Sequence, residues 1–240
     1  MLADPALLAH IRIVRRSDRW VVIDKPAGVL SVPGRDEANR ACTASWCREV
    51  FPAATGPITV HRLDMDTSGL LLMALDEQAQ RELSQQFEDR RVRKRYIALV
   101  AGTVAGERGT IDVPMRADLA RRPHQVIDRV QGRPAVTEWR VIERGPTTTR
   151  LELMPLTGRT HQLRVHCAFA GHPIIGDVLY SGGVGNAAVE PDPSGSREAP
   201  PPAHGQGLPN PPRLMLHASE LTFFNPDGGT PVECRSPAPF

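Results

Sequence analysis

One carboxylate in this sequence stands in an unusual chemical setting. Asp64 lies within the stretch HRLDMDTSG at 61–69, which runs directly into the apolar residues LLLMAL at 70–75. The apolar run predicts a buried strand, whereas a carboxylate prefers water. A charged side chain next to a buried strand conflicts with the preference of charges for water, and conflicts of this kind occur at functional sites. The pattern therefore marks Asp64 as a candidate catalytic carboxylate, the alternative being a solvated aspartate in a turn.

A second group of polar residues lies in the stretch LTGRTHQLRVH at 156–166. Arg164 has apolar neighbours on both sides, and a buried guanidinium requires an anion, for which Asp64 is the candidate. His161 and His166 are five residues apart and would diverge on a helix, whereas paired zinc ligands need a spacing of four. We therefore interpret both histidines as ordinary hydrogen-bonded rings.

A run of cations, RRVRKR at 90–95, places five positive charges in six residues, and Tyr96 follows it. Such a run is either a solvated surface or an edge that binds phosphates. Cations beside an aromatic ring suit single-stranded or looped RNA, where phosphates are neutralised and bases stack. The run is therefore a candidate RNA-binding edge.

The composition is that of an ordinary globular protein. The chain has 240 residues, of which 23% are charged and 40% apolar, and its net charge is +2. No apolar run approaches the roughly 18 residues that cross a bilayer, and the N-terminus has no signal-peptide cleavage pattern, so we expect a cytoplasmic protein. Only two of the 29 basic residues are lysines. That ratio suits phosphate binding but is also typical of a GC-rich coding sequence.

The four cysteines show neither a CxxC pair nor a Cys/His zinc spacing, so we expect reduced thiols and no metal site. Hydrophobic periodicity predicts an α+β fold with mostly antiparallel strands and flanking helices. The predicted strands cover 20–23, 70–75, 96–100, 109–113, 135–143, 148–155, 214–224 and 231–235. The predicted helices cover 37–51, a segment that begins near Glu77 after its cap Asp76, and 160–170 with Gly171 as its stop.

The domain organisation follows from composition. We expect a short N-terminal extension at 1–17 and one catalytic domain at 18–240. Within it, the Gly- and Pro-rich stretch at about 181–213 is predicted to be a disordered insertion because it lacks apolar anchors.

Three motifs in order closely resemble the RluA branch of the pseudouridine synthases. They are DKPAG at 24–28, HRLDxxTSGLLL at 61–72, and TGRTHQLRVH at 157–166 followed by GHPIIGD at 171–177. The resemblance runs from about residue 18 to 180 and resumes at RLMLHA, residues 213–218. It implies the pseudouridine synthase catalytic fold, a mixed, mostly antiparallel sheet with a central active-site cleft.

The resemblance also implies roles for individual residues. Asp64 matches the catalytic aspartate that attacks the target uridine, so that the base detaches, rotates and rejoins through its C5 carbon. That chemistry requires an ionised carboxylate, which a buried Arg164 partner would favour. Tyr96 matches the active-site tyrosine that stacks on the target base, and Arg62 matches the arginine that fills the gap left by the flipped uridine. Asp66 matches no catalytic position.

Further residues of these motifs are expected to contact the RNA. They are His61, Arg159, Arg91, Arg93 and Lys94. The family uses no cofactor and no metal, and we expect a monomer without a membrane partner. The chain has too few residues ahead of the catalytic region for an S4 RNA-binding domain, so it resembles the short members. Among these it is most like the one that modifies both a ribosomal RNA loop and a tRNA anticodon stem-loop.

Two other functions remain open from the sequence. A metal-dependent phosphodiesterase would use His61, Asp64 and Asp66 as ligands of a divalent ion. A non-catalytic RNA-binding or ribosome-assembly protein would keep the fold without the chemistry. Intact Asp64, Tyr96 and Arg164 argue against the second, because a binding protein has no use for a buried, paired carboxylate.

Overall fold

The computed structural model describes residues 5–34, 40–182 and 213–240. The chain divides into two compact units, Met1–Tyr96 with Leu216–Phe240, and Ile97–Met215. The division falls inside one strand, Arg93–Ala101, whose first four residues belong to the first unit. The single catalytic domain expected over 18–240 stays a prediction. The expected insertion at 181–213 lies almost entirely outside the described residues.

The first unit contains a sheet and two helices. Its elements are a 3-10 turn at Pro5–His10, β1 (Arg12–Arg16), β2 (Trp20–Lys25), α1 (Thr43–Val50), β3 (Ser68–Ala74), α2 (Glu77–Glu88), the start of β4 (Arg93–Ala101), β10 (Leu216–Phe224) and β11 (Pro231–Arg235). The strands neighbour one another in the order β1-β2-β3-β10, and β11 pairs with β10. Every one of these pairs is antiparallel except β3 with β10.

The strand that follows Asp64 is the most buried of this unit. All seven residues of β3 are buried, as is expected for a strand covered on both faces. Leu70 and Leu72 pack in one apolar core with other residues of this unit, among them Trp20, Ala79, Leu83 and Phe223. Gly69 at its start has a φ of +110°, and a Cβ there would lie 2.3 Å from the carbonyl oxygen of Ala218. Glycine is therefore required where β10 approaches the segment behind Asp64.

The two helices of the first unit begin with side-chain caps. Asp76 accepts a hydrogen bond from the amide of Ala79 at 2.7 Å and starts α2, as predicted. Cys42 and Ser45 form a capping box that starts α1 at Thr43. The helix predicted over 37–51 is therefore shorter than expected, and residues 37–39 lie outside the described part of the chain.

The second unit contains a four-stranded sheet, a two-stranded hairpin and one helix. Its elements are the end of β4, β5 (Arg108–Asp112), β6 (Met115–Ala117), β7 (Gln125–Ile127), β8 (Val136–Arg144), β9 (Thr148–Pro155) and α3 (Gln162–Phe169). β8 lies between β9 and β5, and β6 pairs with β7. Helix α3 and the hairpin share an apolar cluster that includes Val165, Ile127 and Tyr180.

The predicted α+β class with mostly antiparallel strands is confirmed. β9 and β11 have the predicted bounds, and the other predicted strands are found within a few residues of theirs. The structure also contains the short strands β1, β6 and β7, which the hydrophobic pattern of the sequence did not predict. The four cysteines are buried free thiols, as expected. Among the described residues, no helix has the length and apolar character needed to span a membrane.

Candidate active site

Asp64 lies in a short loop that joins His61 to β3. Met65 and Asp66 form a turn there, and the carbonyl of Asp64 accepts a hydrogen bond from the amide of Thr67 at 3.2 Å. Asp64 is half-buried, and Arg62 beside it is exposed. The loop therefore presents a carboxylate at the edge of a buried strand, as its sequence predicts.

A buried lysine anchors this loop. The ammonium of Lys25, at the end of β2, has no solvent exposure and donates to the carbonyls of Pro26, Val29 and Met65 at 3.0, 2.7 and 2.9 Å. Carbonyl oxygens replace the water that a buried cation loses. In the sequence, Lys25 belongs to the DKPAG motif, and no role of its own is predicted for it there. Its position directly after a buried apolar strand was the signal that it would be desolvated.

Tyr96 is electrostatically linked to Asp64 within the first unit. Its side chain is buried, at 9% exposure. Burial raises the pKa of the Tyr96 hydroxyl, and the negative charge of Asp64 raises it further. A raised phenol pKa keeps the proton on the hydroxyl at neutral pH, so the Tyr96 hydroxyl can donate a hydrogen bond.

His61 fixes the other end of the loop. Its Nε2 accepts a hydrogen bond from the amide of Leu72 at 3.0 Å, and its ring stacks on Phe87 with centroids 4.5 Å apart. Burial, and to a smaller extent the charge of Lys94, lower the pKa of His61 to about 3. His61 is therefore a neutral ring with its proton on Nδ1, and its expected contact with RNA stays a prediction.

The basic run at 90–95 lies where α2 ends and β4 begins. The guanidinium of Arg91 lies 4.8 Å from the ring centroid of Phe224, and the ammonium of Lys94 lies 5.9 Å from that of Phe87. Burial lowers the pKa of Lys94, whereas Arg93 is exposed. Four of its five cations, Arg90, Arg91, Arg93 and Arg95, are exposed, and Arg91 and Lys94 also pack against aromatic rings.

Arg164 is the centre of a buried polar cluster in the second unit. Its Nε and one terminal nitrogen donate to the two carboxylate oxygens of Asp177, each at 2.7 Å, and the side chains are 2% and 0% exposed. The same carboxylate accepts from the amides of Leu179 and Tyr180 at 2.9 and 3.2 Å. Sequence reasoning did not identify Asp177 as an anion for Arg164. The predicted ion pair of Arg164 with Asp64 stays a prediction.

Tyr180 connects this cluster to the start of α3. Its ring centroid lies 5.3 Å from the guanidinium carbon of Arg164, and its hydroxyl lies 2.8 Å from Nδ1 of His161. His161 precedes the helix in the left-handed region, with φ of 55°, which is uncommon for a residue with a side chain. Such strained conformations concentrate at functional sites. Arg159 is exposed, and its Nε donates to the carbonyl of Pro134 at 3.2 Å.

His166 is a structural residue of α3, in agreement with the sequence analysis. It is fully buried, and its ring nitrogens lie 2.9 Å from the hydroxyl of Thr137 and 3.3 Å from the carbonyl of Val113. The carbonyl can only accept, so Nε2 carries the proton and Nδ1 accepts from Thr137. Burial lowers the pKa of His166 to about 4.

The two neutral histidines predict a loss of stability in mild acid. In the unfolded chain a histidine titrates near pH 6.5, whereas folding holds the pKa of His61 near 3 and of His166 near 4. Below about pH 6.5 the unfolded chain therefore binds more protons. The free energy of unfolding should fall as pH decreases, by up to about 1.4 kcal/mol per pH unit for each histidine. Urea unfolding between pH 7.5 and 5 measures this slope above the range where carboxylates titrate.

A His61→Gln variant is the matched test, because a glutamine oxygen can still accept from the Leu72 amide. It should reduce the slope by about half. The control is His10→Gln, which changes an exposed histidine and should leave the slope as it is. Equal slopes for wild type and His61→Gln would show that folding does not lower the pKa of His61.

Comparisons with known proteins agree on one family. The model of a family described as RNA pseudouridylate synthase matches residues 19–169. The chain is 40% identical over 230 residues to the dual-specificity RNA pseudouridine synthase RluA of Yersinia pestis, covering 95% of this chain and 100% of the relative. It is 38% identical to the RluA protein of Escherichia coli strain K12, covering 95% and 93%.

The fold leads to the same family. The solved structure of human RNA pseudouridylate synthase domain containing 1 matches with a TM-score of 0.70 and 33% identity, over 97% of this chain and 85% of that one. The likeness therefore extends over nearly the whole chain in both sequence and structure. The chain belongs to the RNA pseudouridylate synthase family.

Proposed function

We propose that this protein converts specific uridines of structured RNA to pseudouridine, with Asp64 as the reacting carboxylate. The substrates proposed are a ribosomal RNA loop, a tRNA anticodon stem-loop, or both, in keeping with relatives described as dual-specificity enzymes. The observation that carries the proposal is Asp64 itself, half-buried in a loop anchored by Lys25 and electrostatically linked to a buried tyrosine.

The reaction is an isomerisation in which the glycosidic bond from C1′ to N1 breaks and a bond from C1′ to C5 forms. The C5 proton is lost and N1 gains one, so no redox partner is needed. A carboxylate serves this chemistry by adding to the base, by attacking the sugar carbon or by removing a sugar proton. Each role needs an oriented, ionised oxygen, which a loop held at both ends supplies.

Further side chains are proposed to hold the flipped nucleotide. Tyr96 would stack on the target base and donate its retained phenolic proton, while exposed Arg62 would fill the space that the uridine leaves in the RNA. Arg164 would contribute a fixed positive charge, because Asp177 and Tyr180 restrict its guanidinium. Arg159 and His61 are proposed to contact the RNA as well.

The basic run is proposed to bind RNA phosphates, and Arg93 is one of its exposed members. Arg93→Gln should weaken RNA binding and reduce the slope of log Kd against log salt by about 1, since each phosphate contact releases about one counterion. Replacing Arg91, Arg93 and Lys94 together by glutamine should reduce it by about 2 to 3. Filter binding at several salt concentrations measures the slope.

Arg81→Gln is the charge-matched control for this experiment. Arg81 is 64% exposed on α2, where it pairs with Glu77, so its loss changes the net charge equally without touching the run. If the salt dependence of RNA binding changes as little in Arg93→Gln as in Arg81→Gln, the run is a solvated surface that does not bind RNA phosphates.

The two alternative functions lack support. A divalent-ion site would need His61, whose Nε2 already accepts from the Leu72 amide. Within 5–34, 40–182 and 213–240, no group of three or more His, Cys, Asp or Glu side chains has the arrangement of a metal site. The comparisons point to a synthase rather than to a phosphodiesterase or a non-catalytic binding protein.

Tritium release tests the proposed function directly. RNA labelled at C5 of uridine loses its tritium to water when the C1′–C5 bond forms, so released tritium counts pseudouridines. Total tRNA and ribosomal RNA, assayed separately, distinguish the two substrate classes. The expected result is that tritium is released from at least one of the two pools. The proposal would be contradicted if the protein bound RNA of both pools and released tritium from neither.

A further inference from the structure

The backbone on each side of Asp64 is held by a different polar side chain. On the far side, the carbonyl of Met65 accepts from the amide of Gly28 and from the ammonium of Lys25, each at 2.9 Å. On the near side, the hydroxyl of Ser31 donates to the carbonyl of Leu63 at 2.7 Å and accepts from the amide of the same residue at 3.1 Å. One hydroxyl thus satisfies both backbone groups of the residue before Asp64.

This arrangement matters because Leu63 lies in no strand. Leu63 is 7% exposed and Ser31 is 4% exposed, so neither partner has water as a ready substitute. A buried amide and carbonyl must find partners, and in a strand the neighbouring strand supplies them. Here the Ser31 hydroxyl supplies both hydrogen-bond partners of Leu63, and no neighbouring strand would supply them if the hydroxyl were removed.

Ser31 is itself rigidly placed. Its carbonyl accepts from the hydroxyl of Thr43 at 2.9 Å, and the amide of Thr43 donates to the carbonyl of Leu30 at 2.8 Å. Thr43 is fully buried and is the first residue of α1. The path from the start of α1 through Ser31 to Leu63 therefore consists of short hydrogen bonds between buried groups.

We propose that Ser31 is a positioning residue of this enzyme, whose hydroxyl sets the orientation of the Asp64 carboxylate through Leu63. The inference rests on the proposed role of Asp64. Without the hydroxyl, the amide and carbonyl of Leu63 turn toward other partners and carry Asp64 with them. Catalysis by an oriented group is sensitive to such shifts, and a misplacement of about 1 Å can lower a rate about 100-fold.

The test is the single-turnover rate at saturating RNA for three substitutions of Ser31. Ser31→Ala should lower the rate about 10- to 100-fold with the RNA Kd within about 3-fold of wild type. Ser31→Thr keeps the hydroxyl and should restore the rate to within about 3-fold. Ser31→Cys replaces the hydroxyl by a thiol, which is a weaker hydrogen-bonding group, so its rate should lie between those of the other two variants. This variant takes the place of Ser31→Ala if the alanine variant does not fold.

Thr149→Val is the matched control. The Thr149 hydroxyl accepts from the amide of Val104 at 3.1 Å and donates to the carbonyl of Gly102 at 2.8 Å, so it makes the same two kinds of bond in the second unit. It is fully buried. Its loss should lower Tm about as much as Ser31→Ala does, while the rate stays within about 3-fold of wild type.

A second readout is independent of activity. Amide hydrogen exchange at Leu63 should accelerate at least about 10-fold in Ser31→Ala and not in Thr149→Val, because only the first loses the acceptor of that amide. A Ser31→Ala rate equal to that of Thr149→Val, or a rate loss matched by an equal loss of RNA affinity, would overturn the proposal. A wild-type enzyme without tritium release would instead contradict the proposed function, whatever the exchange result.

Discussion

Asp64→Asn should lower the rate of pseudouridine formation by at least about 1,000-fold while the protein stays folded and binds RNA as before. The amide keeps the shape of the side chain and removes its charge, and it is a far weaker nucleophile and base than the carboxylate. The backbone of the loop is held by hydrogen bonds from Thr67, Ser31 and Lys25. The loop conformation therefore does not depend on the charge of Asp64. The measurement is single-turnover tritium release with RNA affinity determined in parallel.

Asp66→Asn provides the control for this experiment. Asp66 lies two residues further along in the same turn, is also half-buried and matches no catalytic position. Its variant should keep the rate within a few-fold of wild type. Product formation by Asp64→Asn at the wild-type rate would end the assignment of Asp64, and equal losses in both variants would point to the turn rather than to one carboxylate.

Asp177→Asn should destabilise the protein by about 3–5 kcal/mol, because it removes the bidentate, buried carboxylate charge that faces the guanidinium of Arg164. For a chain of this length that corresponds to a fall in Tm of roughly 10 °C. The expected loss is large because both side chains are nearly inaccessible to water and the pair is bidentate. Thermal unfolding checks the size of the effect. The activity should fall as well, because the Arg164 guanidinium loses its fixed orientation.

Two comparisons isolate the buried charge. Glu77→Gln breaks the pair with Arg81, in which both side chains are more than 60% exposed, and should cost no more than about 0.5 kcal/mol. The double variant Arg164→Met with Asp177→Asn removes both charges and should be more stable than Asp177→Asn alone. It should remain inactive if Arg164 takes part in the reaction. A double variant with wild-type activity would remove Arg164 from the catalytic residues.

The local elements were predictable because their causes are local. Three such causes are the strand-forming pattern of 148–155, the carboxylate cap at Asp76 and the apolar run after Asp64, and each acts over a few residues. The three-residue strands β6 and β7 were not predictable, since such short segments carry no periodicity. Their pairing depends on the packing of the hairpin against α3, to which residues far apart in sequence contribute.

By itself, the sequence determined that a carboxylate lies at the start of a buried strand, that the guanidinium of Arg164 in α3 is desolvated, and which family carries these motifs. It could not determine the partners of these groups. A buried cation requires an anion, but only the folded chain decides that Asp177, 13 residues on, supplies one for Arg164. In the same way Ser31 bonds to Leu63 across 32 residues, and Lys25 to Met65 across 40. Hydrogen bonds act over about 3 Å, so their partners are set by packing in three dimensions and leave no periodic pattern in the sequence.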